Sequence, residues 1–247
     1  MAFVVTIAAL TMSACHRPWV QDPSSVFFPL KPHMMWMYSI QSKSQQATYT
    51  LTDMVDGPQF VPALKLTGQV VKEFYNLDRA GLRPVIYYEK DGYLTRLSGL
   101  DYDHDKIKAP VWGRSEELNF IPEKLTPDQS WSNKLFPYGK LPGSFDIVQS
   151  HQSFMERNTV AVPAGHFDGC IRIHTEALYE GGPYSDQKET LKLVYEDWYA
   201  PNVGLIRTIA YQGEVGGPEI ERVELVRFNP GRPASADAKT APQTASH

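Results

Sequence analysis

The chain has 247 residues, of which 42% are hydrophobic and 21% charged, with a net charge of −4 and a pI near 6.0. That length and balance suit one large β domain with enough core to fold without disulfide staples. Lys and Arg form no cluster able to neutralise phosphates, which excludes a nucleic-acid binder, and no apolar run approaches the ~20 residues of a membrane-spanning helix.

Residues 1–14 (MAFVVTIAALTMSA) are apolar and end in small residues, the pattern of an export signal, and Cys15 follows directly. The run Leu10-Thr11-Met12-Ser13-Ala14-Cys15 resembles the bacterial lipobox, in which a thiol takes the lipid and small neighbours fit the signal peptidase. Met12 stands where Leu is usual, and no Lys or Arg precedes the apolar run, which points to a start codon farther upstream. Residues 1–15 are therefore read as a lipoprotein signal with Cys15 as the lipidation site, and residues 16–26, polar with two prolines, as a tether. His16 rather than Asp after the cysteine favours the outer membrane over the inner, facing the periplasm. With Cys15 acylated, Cys170 has no partner in the chain.

A β-rich domain is expected over residues 27–228. Residues 35–41 and 47–55 alternate as a first pair of strands, and residues 65–77 as a long strand with Gly68 as a bulge. Residues 84–90 and 93–97 flank Asp91-Gly92, the clearest hairpin signal in the chain. The alternating carboxylates Asp101, Asp103 and Asp105 resemble the start of a calcium loop. Lys106 and Trp112 occupy the positions where Gly and Glu would be required, so the segment reads as a charged loop. A short helix is expected within residues 115–125. Strands follow at residues 145–149, 155–162, 170–179, 190–199, 203–211 and 220–228, separated by Gly- and Pro-containing turns. Ile171, Ile173, Ala177 and Tyr179 share one strand face and Arg172, His174 and Glu176 the other. Leu191, Leu193, Tyr195 and Tyr199 likewise oppose Lys192 and Glu196. Residues 229–247, rich in Pro, Ala, Ser and Thr, are expected to be a disordered tail. The fold class is thus mainly β, an antiparallel strongly curved sheet or half-open barrel with few short helices; a β-sandwich is the alternative.

Two segments share an entry pattern. Pro32 precedes Trp36 as Pro127 precedes Trp131, and an aromatic pair stands before a turn in each half, Tyr87-Tyr88 and Trp198-Tyr199. Two meander-like halves in one continuous sheet would produce this, as would chance between two Pro-rich turns.

The segment Val162-Pro163-Ala164-Gly165-His166-Phe167-Asp168-Gly169-Cys170 resembles a VPAG-x-F-x-x-C motif. Residues 199–206 resemble YAPGVGLV, with Asn202 in place of Gly. Together with Phe28-Pro29-Leu30 and Trp36-x-Tyr38, these resemble uncharacterised proteobacterial envelope lipoproteins. Such proteins are similar to the periplasmic lipoprotein carrier and its outer-membrane receptor. The resemblance implies a half-open barrel around a hydrophobic cavity and an envelope location, not an activity.

Candidate chemistry is sparse. His166, Asp168, Cys170 and His174 share strand parity, yet at ~3.3 Å per residue the two histidines are too far apart for one ion, so no metal site is assigned. No nucleophile elbow, phosphate loop or dinucleotide fingerprint occurs, and no catalytic residue or cofactor is assigned. The aromatic excess suggests instead a hydrophobic pocket lined by Trp36, Tyr38, Tyr87, Trp131, Trp198 and Tyr199, although the same rings would also serve as ordinary β core. The expected role is a lipid-anchored envelope protein binding a lipid, lipoprotein or other amphiphile. The alternative is a non-catalytic accessory or structural subunit with an envelope protein partner, and a hydrolase is a more distant option. The membrane is reached through the acyl anchor, and nucleic acid is not a partner.

Overall fold

The computed structural model describes residues 22–43, 45–76, 82–103, 106–110, 116–135, 146–180 and 190–231. The expected signal, Cys15, most of the tether and nearly all of the tail lie outside these residues. In chain order, β1 (Asp22–Pro23) leads into one helical turn, α1 (Ser24–Phe27). Then come β2 (Met35–Ser42), β3 (Ala47–Val61), β4 (Leu66–Tyr75), β5 (Arg83–Lys90) and β6 (Tyr93–Ser98). A side hairpin of β7 (Leu100–Asp103) and β8 (Lys106–Pro110) precedes β9 (Glu116–Pro122) and β10 (Lys124–Leu125). The remainder is β11 (Ser130–Leu135), β12 (Asp146–Val162), β13 (Gly165–Glu180), β14 (Thr190–Ala200), β15 (Gly204–Gln212) and β16 (Glu219–Asn229).

Twelve of these strands form one antiparallel sheet in the order β11-β12-β13-β14-β15-β16-β2-β3-β4-β5-β6-β9. Two meanders are joined where β16 pairs with β2, with Phe228 opposite Trp36, Leu225 opposite Tyr38 and Val223 opposite Ile40. The sheet curls until its two edges meet. There Asn119 N–H donates to Asn133 Oδ1 at 3.1 Å and Asn133 Nδ2 donates to the Asn119 carbonyl at 2.7 Å. One side-chain amide thus does for the two edges what a backbone ladder does elsewhere, which is how exposed edge groups are kept satisfied. The result is a nearly closed barrel, the curved-sheet option expected from the alternation rather than the sandwich.

Period-2 patterning explains the strands. In β2, Trp36, Tyr38 and Ile40 point inward and are buried, while Met35, Met37 and Ser39 between them are partly exposed. The turn between β5 and β6 is Asp91-Gly92, both at positive φ (52° and 78°), the geometry of a two-residue hairpin turn. A lumen cluster contains Trp36, Tyr38, Val71, Tyr87 and Leu225. A second cluster closes one end, where Phe27 of α1 packs with Ile121, Leu125, Ile171 and Tyr199. A third lies under the β7–β8 hairpin and holds Val70, Ile86, Leu97 and Ile107.

The structure corrects four local expectations. Residues 116–122 of the expected helix are strand β9, because Leu118 and Phe120 alternate and pairing with β6 overrides the helical preference of Glu and Leu. Gly68 is not at a bulge. Gly68 pairs regularly with Gln59, and the irregularity lies on β3 between Val55 and Gly57, opposite Val70 and Val71; Gly68 is required because a Cβ there would meet the Tyr87 carbonyl oxygen at 2.6 Å. Residues 101–103 of the expected charged loop are strand β7. Glu196, read as solvent-facing, is 3% exposed, held by Arg172 at 3.1 Å and His174 at 2.5 Å. Packed structure also reaches ahead of residue 27, since Asp22 and Pro23 pair with Leu125 and Lys124 and Ser24 N–H donates to the Glu123 carbonyl.

Candidate aromatic cavity

The N-terminal segment closes one end of the barrel. Asn202 N–H donates to the Val26 carbonyl at 2.6 Å, Phe27 is fully buried, and the Phe28 ring lies 5.0 Å from Tyr87 and 4.7 Å from Phe120. Behind this plug is a cavity of about 230 Å³ whose wall includes Phe28, Trp36, Tyr38, Tyr87, Phe120 and Tyr199. The first two strand aromatics are fixed by their polar ends, Trp36 Nε1 donating to the Val203 carbonyl at 2.5 Å and Tyr38 Oη to that of Leu205 at 3.1 Å. With those donors satisfied, the ring faces are left for the cavity. A cavity of about 440 Å³ adjoins it along Phe28, Leu30 and Tyr87, and one of about 240 Å³ along Phe120, Asp197 and Tyr199.

Four of the six sequence-expected aromatics, Trp36, Tyr38, Tyr87 and Tyr199, therefore meet at one cavity. Trp131 and Trp198 do not line it. Trp131 is buried in the plugged end, stacked on His151 with centroids 5.1 Å apart. Trp198 is adjacent to Tyr199 on one strand and so takes the other face, with the Arg207 guanidinium 5.8 Å above its ring.

No family model matches the chain, and no curated protein matches its sequence. Two solved structures are similar. One is a protein of Parabacteroides distasonis described provisionally as a lipoprotein, with 18% identity, a TM-score of 0.49, and coverage of 83% of this chain and 98% of that one. The other, from Bacteroides fragilis and described provisionally as an exported protein with a YmcC-like fold, has 18% identity, a TM-score of 0.48, and coverage of 83% and 99%.

Sequence reasoning missed the acidic residues of the cavity. Asp53 and Asp197 both line it. Burial, and then the neighbouring Glu73, push the Asp53 carboxyl up to about 8 against an opposing pull from Arg96. Burial also raises Asp197 to about 6, opposed by the Thr208 hydroxyl, which donates to its Oδ1 at 2.6 Å. The signal was present: Asp53 shares parity with Leu51 and Val55, and Asp197 with Tyr195 and Tyr199, so each acid interrupts an apolar face. Arg96 is already engaged, its Nη2 lying 3.2 Å from Glu73 Oε1.

A polar chain runs from the barrel seam to the third cavity. Asn133 Nδ2 lies 3.2 Å from His151 Nε2, and His151 Nδ1 lies 2.8 Å from Thr175 Oγ1. An amide nitrogen only donates, so Nε2 accepts and the ring proton sits on Nδ1. Burial lowers His151 to about 4, which keeps the ring neutral. Among the described residues, no group of three His, Cys, Asp or Glu side chains is placed to hold a metal ion. Cys170 is buried, with Sγ 3.1 Å from the Phe167 carbonyl, and Asp168 accepts from Thr159 at 2.6 Å.

Proposed function

We propose that this chain is a lipid-anchored protein of the cell envelope, held at the outer membrane through Cys15, that carries an amphiphile in the lumen of its barrel. The observation that carries this reading is the cavity lined by Trp36, Tyr38, Tyr87 and Tyr199 and plugged by Phe28. Trp36 and Tyr38, whose polar ends are bonded to backbone, present apolar ring faces, which suit a hydrocarbon chain. The location rests on the apolar run ahead of Cys15. From Cys15 to Asp22 the chain spans at most about 25 Å, so an acyl anchor would sit close to the plugged, aromatic end of the barrel. A ligand entering from the bilayer would then meet α1 first.

Native mass spectrometry of the full chain extracted from membranes is expected to show a co-purifying adduct of lipid mass, diminished in Trp36→Ala and Tyr199→Ala. A bare protein mass under several extraction conditions would overturn the reading. Palmitate labelling that is abolished by Cys15→Ala, with loss of membrane association, tests the anchor separately.

A further inference from the structure

Among the described residues, the lumen contains more acid side chains than its cations can pair. Asp53 lies opposite Glu73 in the β3–β4 ladder, and Glu73 lies opposite Arg83 in the β4–β5 ladder. Arg96 bonds Glu73, and the Arg83 guanidinium sits 5.2 Å above the Tyr75 ring. Asp53 keeps part of its surface open and lines the cavity, yet its Oδ1 is sealed and has no hydrogen-bond partner among the described residues. Buried polar atoms are nearly always bonded, so a carboxyl left one bond short at a cavity wall lacks compensating positive charge, which a cation in the cavity would supply. Across the same cavity stands Asp197, which receives one bond, from Thr208. Around both are the rings of Trp36, Tyr38, Tyr87 and Tyr199, whose faces are negative and attract cations.

We propose that the amphiphile held in this lumen bears a cationic head, an amine or quaternary ammonium, seated between Asp53 and Asp197 within the aromatic wall. The inference rests on the amphiphile reading above and adds the charge of the head. An anionic head would meet two acids with no cation beside them, among the described residues, that is not already engaged, and a neutral head would leave the negative ring faces unused. The groups facing the pair are Tyr38 from β2, Glu73 and Tyr75 from β4, Tyr87 from β5, Arg96 from β6, Tyr195 and Tyr199 from β14 and Thr208 from β15, with Glu196 of β14 adding negative charge beside Asp197. His151, which lines the adjoining cavity with Asp197, is uncharged at neutral pH. Of these only Arg96 is cationic, and Glu73 offsets it. Burial keeps Asp53 largely protonated at neutral pH, so an arriving cation would displace that proton.

The test compares three probes of equal chain length below their aggregation limits: octyltrimethylammonium, octanol and octyl sulfate. Each is titrated into the full chain and followed by tryptophan fluorescence, since Trp36 lies in the wall. The ammonium is expected to bind about tenfold tighter than octanol, and the sulfate more weakly than either. Its affinity should fall as the pH is lowered from 8.5 to 6, about tenfold per unit where Asp53 titrates, while octanol binding stays flat. Asp53→Asn and Asp197→Asn should each remove most of the preference for the ammonium over octanol, read as the ratio of the two affinities within each variant. Octanol or octyl sulfate binding as tightly as the ammonium would overturn the cationic head and leave the amphiphile reading standing. If none of the three binds, both fall. The wild-type series decides the matter even where a variant folds poorly.

Discussion

In the N-terminal meander Trp36 enters the sheet four residues after Pro32, and in the C-terminal meander Trp131 enters four residues after Pro127. The parallel continues through the topology. The second strand of each meander, β3 or β12, is long and bulged, and each ends in Val-Pro-Ala (residues 61–63 and 162–164) with a glycine seven positions beyond the valine, Gly68 or Gly169. The fourth strand of each, β5 or β14, carries the aromatic pair, and a left-handed turn follows, through Asp91-Gly92 or Asn202. The outer faces diverge. The first meander buries Val70, Ile86 and Leu97 beneath the β7–β8 hairpin, whereas the second is laced with ion pairs, Arg172 to Glu196 and Arg207 to Glu224. What both halves keep is aromatic side chains on the inside. One backbone plan thus tolerates apolar or ionic packing outside, while the lumen makes the same demand of each half.

The sharpest contrast is between the two glycines. Gly68 lies in regular strand, where a Cβ would meet the Tyr87 carbonyl at 2.6 Å and Ile86 Cγ1 at 2.6 Å. The backbone oxygen cannot yield without disturbing the β4–β5 ladder. Gly169 has φ of +69° and open space, its nearest neighbour being Pro201 Cγ at 3.6 Å. Gly68→Ala is expected to cost about 3 kcal/mol in urea unfolding, through overpacking. Gly169→Ala should cost about 1 kcal/mol, through backbone strain alone. Equal losses would mean that the shared motif serves the same purpose in both halves.

The two lumen acids separate the halves by pH. Asp53 in the folded chain holds its proton up to about 8, whereas an unfolded carboxyl releases it near 3.8. The folded state therefore binds more protons, and the stability this gives is full below about pH 4 and is lost as the pH rises through 8. Asp197 follows the same sign with its window ending near 6. His151 acts in reverse: its pKa is lowered, so its contribution is present above 6.5 and lost towards 4. Between pH 6.5 and 8, Asp53 dominates this set, and the slope approaches about 1.4 kcal/mol per pH unit, or about 2 kcal/mol across the interval. Denaturant midpoints measured there should fall with pH in the wild type and in Asp197→Asn, and stay level in Asp53→Asn. A slope that survives Asp53→Asn would move the buried charge elsewhere.

The strands were legible because alternation and turn chemistry agree with the fold: β2, the Asp91-Gly92 hairpin and the face shared by Ile171 and Ile173 needed no tertiary knowledge. The strand in residues 116–122 was not, because Glu and Leu favour helix locally and only pairing with β6 decides otherwise. Closure of the barrel was hidden for a different reason: a single amide on Asn133 replaces a ladder, and nothing in the sequence around it distinguishes it from a surface asparagine. Within the site, Trp36, Tyr38, Tyr87 and Tyr199 could be read from residue type. Including Trp198 alongside Tyr199 ignored the rule that neighbours on a strand face opposite ways. Asp53 and Asp197 are harder to read, because their one sequence signal is that each breaks an apolar strand face.

The smallest expected effect comes from the tryptophans that open each meander. Trp36 Nε1 ties the first strand to the Val203 carbonyl in the other half, across the lumen wall. Trp131 is as deeply buried, yet its Nε1 has no partner among the described residues. Phenylalanine keeps an aromatic ring at each place and removes only the indole donor and some area. Trp36→Phe strands a carbonyl and should cost about 1.5 kcal/mol, near the usual loss when a buried bond is broken on one side. Trp131→Phe relieves a buried orphan donor while giving up part of the stack on His151, and should change stability by no more than about 0.5 kcal/mol. Urea midpoints of the two variants read the difference directly. If Trp131→Phe proved as damaging as Trp36→Phe, its indole would have a partner beyond the described residues, and the two halves would be more alike than the ladders suggest.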